Sequence, residues 1–137
     1  QISGGSRTSV GGYATPEPKE ENSAQFDISD TRTLDEVVNW LLDMGHIPSF
    51  CTACYRAGRT GDRFMSLVKS GQIANCCAPN ALMTLKEYLE DYASADTRAK
   101  GEVLIQKELK HIPNPKIKEI AARNLKEIIE GKRDFRF

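Results

Sequence analysis

Residues 114–129 read NPKIKEIAARNLKEII, and this stretch decides the fold class. Asn114 is a preferred N-cap, and Pro115 suits the first helical position, where its missing N–H would lack an intrahelical partner anyway. Ile117, Ile120, Ala121, Leu125 and Ile128 then recur on one face at helical spacing. The spacing predicts an amphipathic helix with Lys116, Lys118, Glu119, Lys126 and Glu127 facing water. Working back from it, residues 95–111 carry Leu104, Ile105, Leu109 and Ile112 inward. Residues 80–93, following Pro79, align Leu82, Leu85, Leu89 and Tyr92 as a buried stripe. Residues 60–70 form a further helix between Thr60 and Gly71, and Leu34, Val37, Val38 and Leu41 mark another, capped by Thr33 and stopped at Gly45. Ile47-Pro48-Ser49-Phe50 is too short for a helix and reads as an edge strand or extended run leading to Cys51. The expected fold class is mainly α.

Composition narrows the function. The 137 residues hold 19 basic and 19 acidic groups, so no net charge draws the chain to nucleic acid or to an anionic membrane. No apolar run approaches the roughly 18 residues that a membrane span requires. With no signal peptide, the expected compartment is cytoplasmic. The chain opens at Gln1-Ile2-Ser3 without an initiator Met and reads as a piece of something longer. Residues 1–13, QISGGSRTSVGGY, are glycine-rich and expected to be loop after a possible strand end; ATPEPKEENSA, 14–24, is linker-like.

All four cysteines fall between residues 51 and 77, as Cys51, Cys54, Cys76 and Cys77. Cys51-Thr52-Ala53-Cys54 lets two sulfurs converge on one centre from a single turn of backbone, and the 60–70 helix can fold the second pair back beside the first. Adjacent side chains of an extended backbone point to opposite sides, which argues for one ligand from Cys76-Cys77 and three thiolates in total. Structural zinc takes four protein ligands, whereas a 4Fe–4S cluster held by three cysteines keeps one iron open. Between residues 55 and 70, Arg56, Arg59, Arg63 and Lys69 face Asp62 alone, a local positive excess suited to an anionic cluster. Three other readings stay open on the residues: a thioredoxin-type dithiol, zinc on all four cysteines as a non-catalytic interaction module, and unliganded core thiols. His46 is a ligand candidate or a solvated cap, and His111 a cap. Ser3, Ser6, Arg7 and Thr8 read equally as holding a carboxylate, with Arg7 as its charge partner, or as a plain turn.

The runs SFCTACYRAGRTGDRFM (49–65), GQIANCC (71–77) and EGKRDFRF (130–137) resemble the C-terminal region of the HydG family of iron-only hydrogenase maturases. These are radical S-adenosylmethionine tyrosine lyases. ISGGSRTSVGGY (2–13) and QFDISDTRT (25–33) resemble the closing part of their barrel, shared more loosely with the ThiH-like tyrosine lyases of thiamine biosynthesis. ThiH lacks the cluster extension, so C-x2-C-x22-C separates the two.

The resemblance implies residues 1–50 as the closing strand and loop pieces of a radical-SAM TIM-type (β/α) barrel, with a mobile linker near 14–30, and 51–137 as a helical auxiliary cluster domain. It implies Cys51, Cys54 and Cys77 as ligands of an auxiliary 4Fe–4S cluster, with Cys76 not a ligand and no catalytic residue in this part. It further implies a parent activity that cleaves tyrosine to p-cresol and dehydroglycine. Carbon monoxide and cyanide from the latter join an additional labile iron, bridged by free cysteine, as a precursor of the hydrogenase H-cluster. S-adenosylmethionine and a second 4Fe–4S cluster belong to the parent only, since the C-x3-C-x2-C motif that binds the latter is missing here. Alone, this chain is expected to be inactive. Its implied partners are the rest of the barrel and other hydrogenase maturation factors.

Overall fold

A computed structural model describes residues 32–137, which contain helices and no strand. Of the expected barrel segment 1–50, residues 1–31, with the linker and Ser3, Ser6, Arg7 and Thr8, lie outside the described residues. Six α-helices follow in order: α1 Leu34–Asp43, α2 Ala53–Arg56, α3 Gly61–Lys69, α4 Cys77–Asp91, α5 Ala95–Leu109 and α6 Pro115–Ile129. A single 3-10 turn, Gln72–Ala74, joins α3 to α4. The mainly α expectation holds. The Ile47–Phe50 run carries no regular secondary structure and forms no strand.

Local chemistry sets the helix ends. Thr33 and Glu36 close a capping box on α1, with the Thr33 side chain accepting from the Glu36 N–H and Glu36 accepting from the Thr33 N–H. Beyond α1, Gly45 takes φ 74°, while its N–H donates to Leu42 and that of His46 to Leu41. This paired arrangement needs a left-handed residue, which glycine supplies without a Cβ clash. Asn114 caps α6 through both Lys116 and Ile117 amides, as predicted.

Helix α4 is the central element; α5 and α6 pack on it, and α1 packs on α5. Met83, Leu85, Leu89, Ile105, Ala121 and Ile128 are almost fully removed from water, and Val38 and Leu42 carry α1 into the same core. On α1 the deepest positions are Val38 and Leu42 rather than Val37 and Leu41, a rotation of the expected stripe by about one residue. Tyr92 is a correction: it is 74% exposed, because α4 ends at Asp91 and its cap turns the ring outward. Tyr88 is the buried tyrosine of α4.

Two polar clusters lie among these helices. Lys86, 4% exposed, is held between Glu90 at 2.6 Å and Glu102, and its hydrogen bond keeps the Glu90 carboxyl below the usual carboxylate range. Asp35 of α1 accepts from the Tyr88 hydroxyl at 3.3 Å and the Thr97 hydroxyl at 3.0 Å, joining α1 to α4 and α5. Burial, then the neighbouring Asp35 charge, pushes the Tyr88 hydroxyl up to about 12. Because the folded value exceeds the unfolded value of about 10, this contribution is complete below pH ~10 and is lost as pH rises toward ~12. Tyr88→Phe is therefore expected to lower stability near neutral pH by about 0.5–1.5 kcal/mol. The gap between variant and wild type should close in urea titrations above pH ~10. A constant gap would show that the Tyr88 hydroxyl carries no proton linkage.

Candidate metal centre

The four thiols come from two places. Cys51 and Cys54 sit on the approach to α2 and within it; Cys76 is the N-cap of α4 and Cys77 its first residue. Both places are referenced to α4. Ahead of Cys51, the Phe50 N–H donates to Thr84 Oγ1 at 3.3 Å and the Phe50 ring stacks on Tyr88 at 5.3 Å. The Cys51 sulfur accepts the Ala53 N–H at 3.5 Å, which ties it to the start of α2.

The helical start at Cys77 corrects the boundary read from sequence. Pro79 occupies the first turn of α4, where its absent N–H costs nothing, so the helix begins before the proline rather than after it. Cys76 and Cys77 thus lie on a cap and a first helical turn, not on extended backbone, and their sulfurs are 3.8 Å apart. The expectation that the two point to opposite sides is wrong, and geometry by itself does not separate Cys76 from Cys77 as a ligand.

Burial first, then the Cys76 contact and charge, and then the charges of Cys54 and Cys51, push the Cys77 thiol up to about 11. Each of the four is half-buried and none is in a disulfide. Among the described residues no three His, Cys, Asp or Glu side chains are close enough to share one metal ion. A cavity of about 490 Å³ is lined by Cys77 with Ile47, Ile73, Ala74, Ala81 and Leu82 among others, and Cys51, Cys54 and Cys76 are not part of its wall. Four free, half-buried thiols are a donor set whose chemistry fits a thiolate-ligated cluster.

Two buried polar atoms near these thiols have no partner: Arg59 Nε and Asn75 Oδ1. Arg59 donates its backbone N–H to the Cys54 carbonyl at 2.8 Å, so this orphaned donor belongs to the cysteine loop, where an anionic centre would accept from it. The positive excess is smaller than the sequence count, because Arg56 pairs with Asp134 at 3.0 Å. His46 is exposed beyond the end of α1. His111 contacts Glu108 at 3.3 Å and lines the cavity beside Cys77. Sequence reasoning missed Asn80, which lies one turn past Cys76, is 3% exposed and anchors the C-terminal tail. Its only sequence signal was position on the polar side of the α4 stripe.

No family profile matches the chain, and no curated protein matches it. Among solved structures it is similar to the crystal structure of HydG, a maturase of FeFe-hydrogenase, at 49% identity with a TM-score of 0.76. The match covers 82% of this chain and 25% of that one, so the chain corresponds to about a quarter of that protein's length. At this identity over a helical body with the cysteine loop in place, the chain is HydG-related.

Proposed function

We propose that the chain is the C-terminal region of a HydG-type radical S-adenosylmethionine tyrosine lyase and that it holds the auxiliary 4Fe–4S cluster through Cys51, Cys54 and Cys77. What supports this reading is that the C-x2-C pair and Cys77 lie on segments both tied to α4, the run ahead of Cys51 through the Phe50 N–H on Thr84 and Cys77 as the first residue of that helix. Bound there, the cluster supplies an iron with no protein ligand, open to free cysteine and the labile iron it carries, because three thiolates leave one corner vacant. The protein's own part is to hold three deprotonated sulfurs, to offer the Ala53 N–H to Cys51, and to present the unpaired Arg59 Nε to negative charge. In the parent, tyrosine cleavage supplies carbon monoxide and cyanide for an iron precursor of the hydrogenase H-cluster. That step needs the barrel, its S-adenosylmethionine and its own cluster, and the finished precursor passes to other maturation factors. A reducing cytoplasm suits free thiols and an open iron.

A second reading has one observation in its favour. The 3.8 Å between the Cys76 and Cys77 sulfurs is the spacing of two thiolates on one tetrahedral ion with bonds of about 2.3 Å. A zinc-binding interaction module would use both. Anaerobic reconstitution of this chain with iron and sulfide separates the two readings. The cluster reading expects a brown protein with about four iron and four sulfide per chain. A colourless chain that takes one zinc and no sulfide would overturn it.

A further inference from the structure

The last seven residues do more than end the chain. Gly131, at φ 95°, turns the backbone off α6 with its N–H donating to Ile128 and that of Lys132 to Glu127. The segment then runs back along α4 from its C-terminal end to its N-terminal end. Arg133 forks onto Asp91 at the far end, through Nε at 2.9 Å and Nη2 at 2.5 Å. Asp134 donates its N–H to Glu87 at 2.8 Å. Phe137 finishes at Asn80, donating its N–H to Asn80 Oδ1 at 2.9 Å, while the Asn80 N–H itself donates to the Cys76 carbonyl at 3.0 Å. Phe135 and Phe137 pack on the core on the way.

From the middle of this path Asp134 reaches α2. Its Oδ1 accepts from Arg56 at 3.0 Å and from Arg136 at 2.7 Å. Asp134 also holds φ 64°, a left-handed conformation uncommon for a side-chain-bearing residue, kept here by contacts at both its amide and its carboxylate. Arg56 lies two residues past Cys54 in a four-residue helix, too short to hold its own position, so its ion pair matters to where Cys54 sits.

We propose that residues 131–137 form a strap that sets the Cys54 loop against the first turn of α4, with Asp134 as its positioning residue. The proposal rests on Cys54 and Cys77 being cluster ligands, and its test separates the two claims.

In the metal-free 137-residue chain under reductant, the alkylation rates of Cys54 and Cys77 are read by peptide mass spectrometry. Asp134→Asn keeps the tolerance for φ > 0 but removes the charge, and Arg56→Gln removes it from the other side. Each is expected to speed Cys54 alkylation by about two- to fivefold relative to Cys77, the scale of one exposed ion pair. Ending the chain after Lys132 should raise that ratio by roughly tenfold or more, because the loop then opens locally. In reconstituted protein the same order should appear in the rate of iron loss to a chelator. A drop in melting temperature with the Cys54-to-Cys77 ratio unchanged would reduce the tail to ordinary packing and overturn the proposal. If the wild-type chain takes up no cluster, the functional reading fails, and the alkylation ratio still decides the strap.

Discussion

Replacing Cys51, Cys54 or Cys77 singly by serine is expected to cut bound iron from about four per chain to less than about one, while Cys76→Ser retains most of it. A cubane held at three corners has no surplus protein ligand, so losing one corner exposes a second iron to solvent and releases the body. Serine is nearly isosteric with cysteine but a much poorer ligand for iron, so the variants change donor chemistry more than packing. The core behind the site is built from α4, α5 and α6, and each variant should keep wild-type helicity by circular dichroism. Cys76→Ser is the informative control because its sulfur lies only 3.8 Å from that of Cys77. If Cys76→Ser empties the site as thoroughly as Cys77→Ser, all four thiols are ligands and the open-corner account is lost. Iron and sulfide analysis beside visible absorbance, on anaerobic preparations of all four variants, provides the comparison.

The second large effect lies in the core. Leu89 is fully buried on α4, against Gly101 of α5. Leu89→Ala should cost about 2–5 kcal/mol, the usual price of a cavity left by a large buried side chain. That is a sizeable part of the ~5–15 kcal/mol holding an ordinary domain together. Gly101→Ala fails for the opposite reason. A Cβ there would come within 2.5 Å of Leu89 Cδ1 and 2.8 Å of Cδ2, and the leucine is too enclosed to yield. Overpacking of about 1–3 kcal/mol outweighs the ~1 kcal/mol gained in helix propensity. In the double variant the new methyl enters space that the shortened residue 89 has vacated. Its total should therefore fall below the sum of the single effects, with a coupling of about 0.5–3 kcal/mol. Urea denaturation of the four chains measures this; additive costs would mean that α4 and α5 shift apart rather than meet at this point.

These two experiments divide along what was legible in the chain. The core helices were readable because each announces itself locally: Asn114 before Pro115, Thr33 ahead of α1, Gly45 after it, and apolar residues every three to four positions. Pro79 misled the reading, since a proline serves equally before a helix or inside its first turn, and only the latter makes Cys77 helical. Tyr92 misled it because a periodic stripe does not say where the last turn stops. The buried Lys86 was invisible, as a lysine is placed inside only when two carboxylates from different turns and helices meet it.

For the cysteines, the spacing marked Cys51, Cys54 and one of Cys76 and Cys77 as candidate ligands, because a short interval of chain limits where two sulfurs can go, and the family resemblance singled out Cys77. It did not determine that Cys76 and Cys77 stand side by side, a matter of one backbone turn at the head of α4. Nor did it determine that the C-terminal tail, whose Asp134 lies 78 residues beyond its partner Arg56, returns along α4 to brace the loop. Periodicity and caps act between residues a few positions apart and are written in the sequence. Asp134 meeting Arg56, Asn80 meeting Phe137 and Leu89 meeting Gly101 are contacts between distant residues, and they exist only after the helices have buried their apolar faces together.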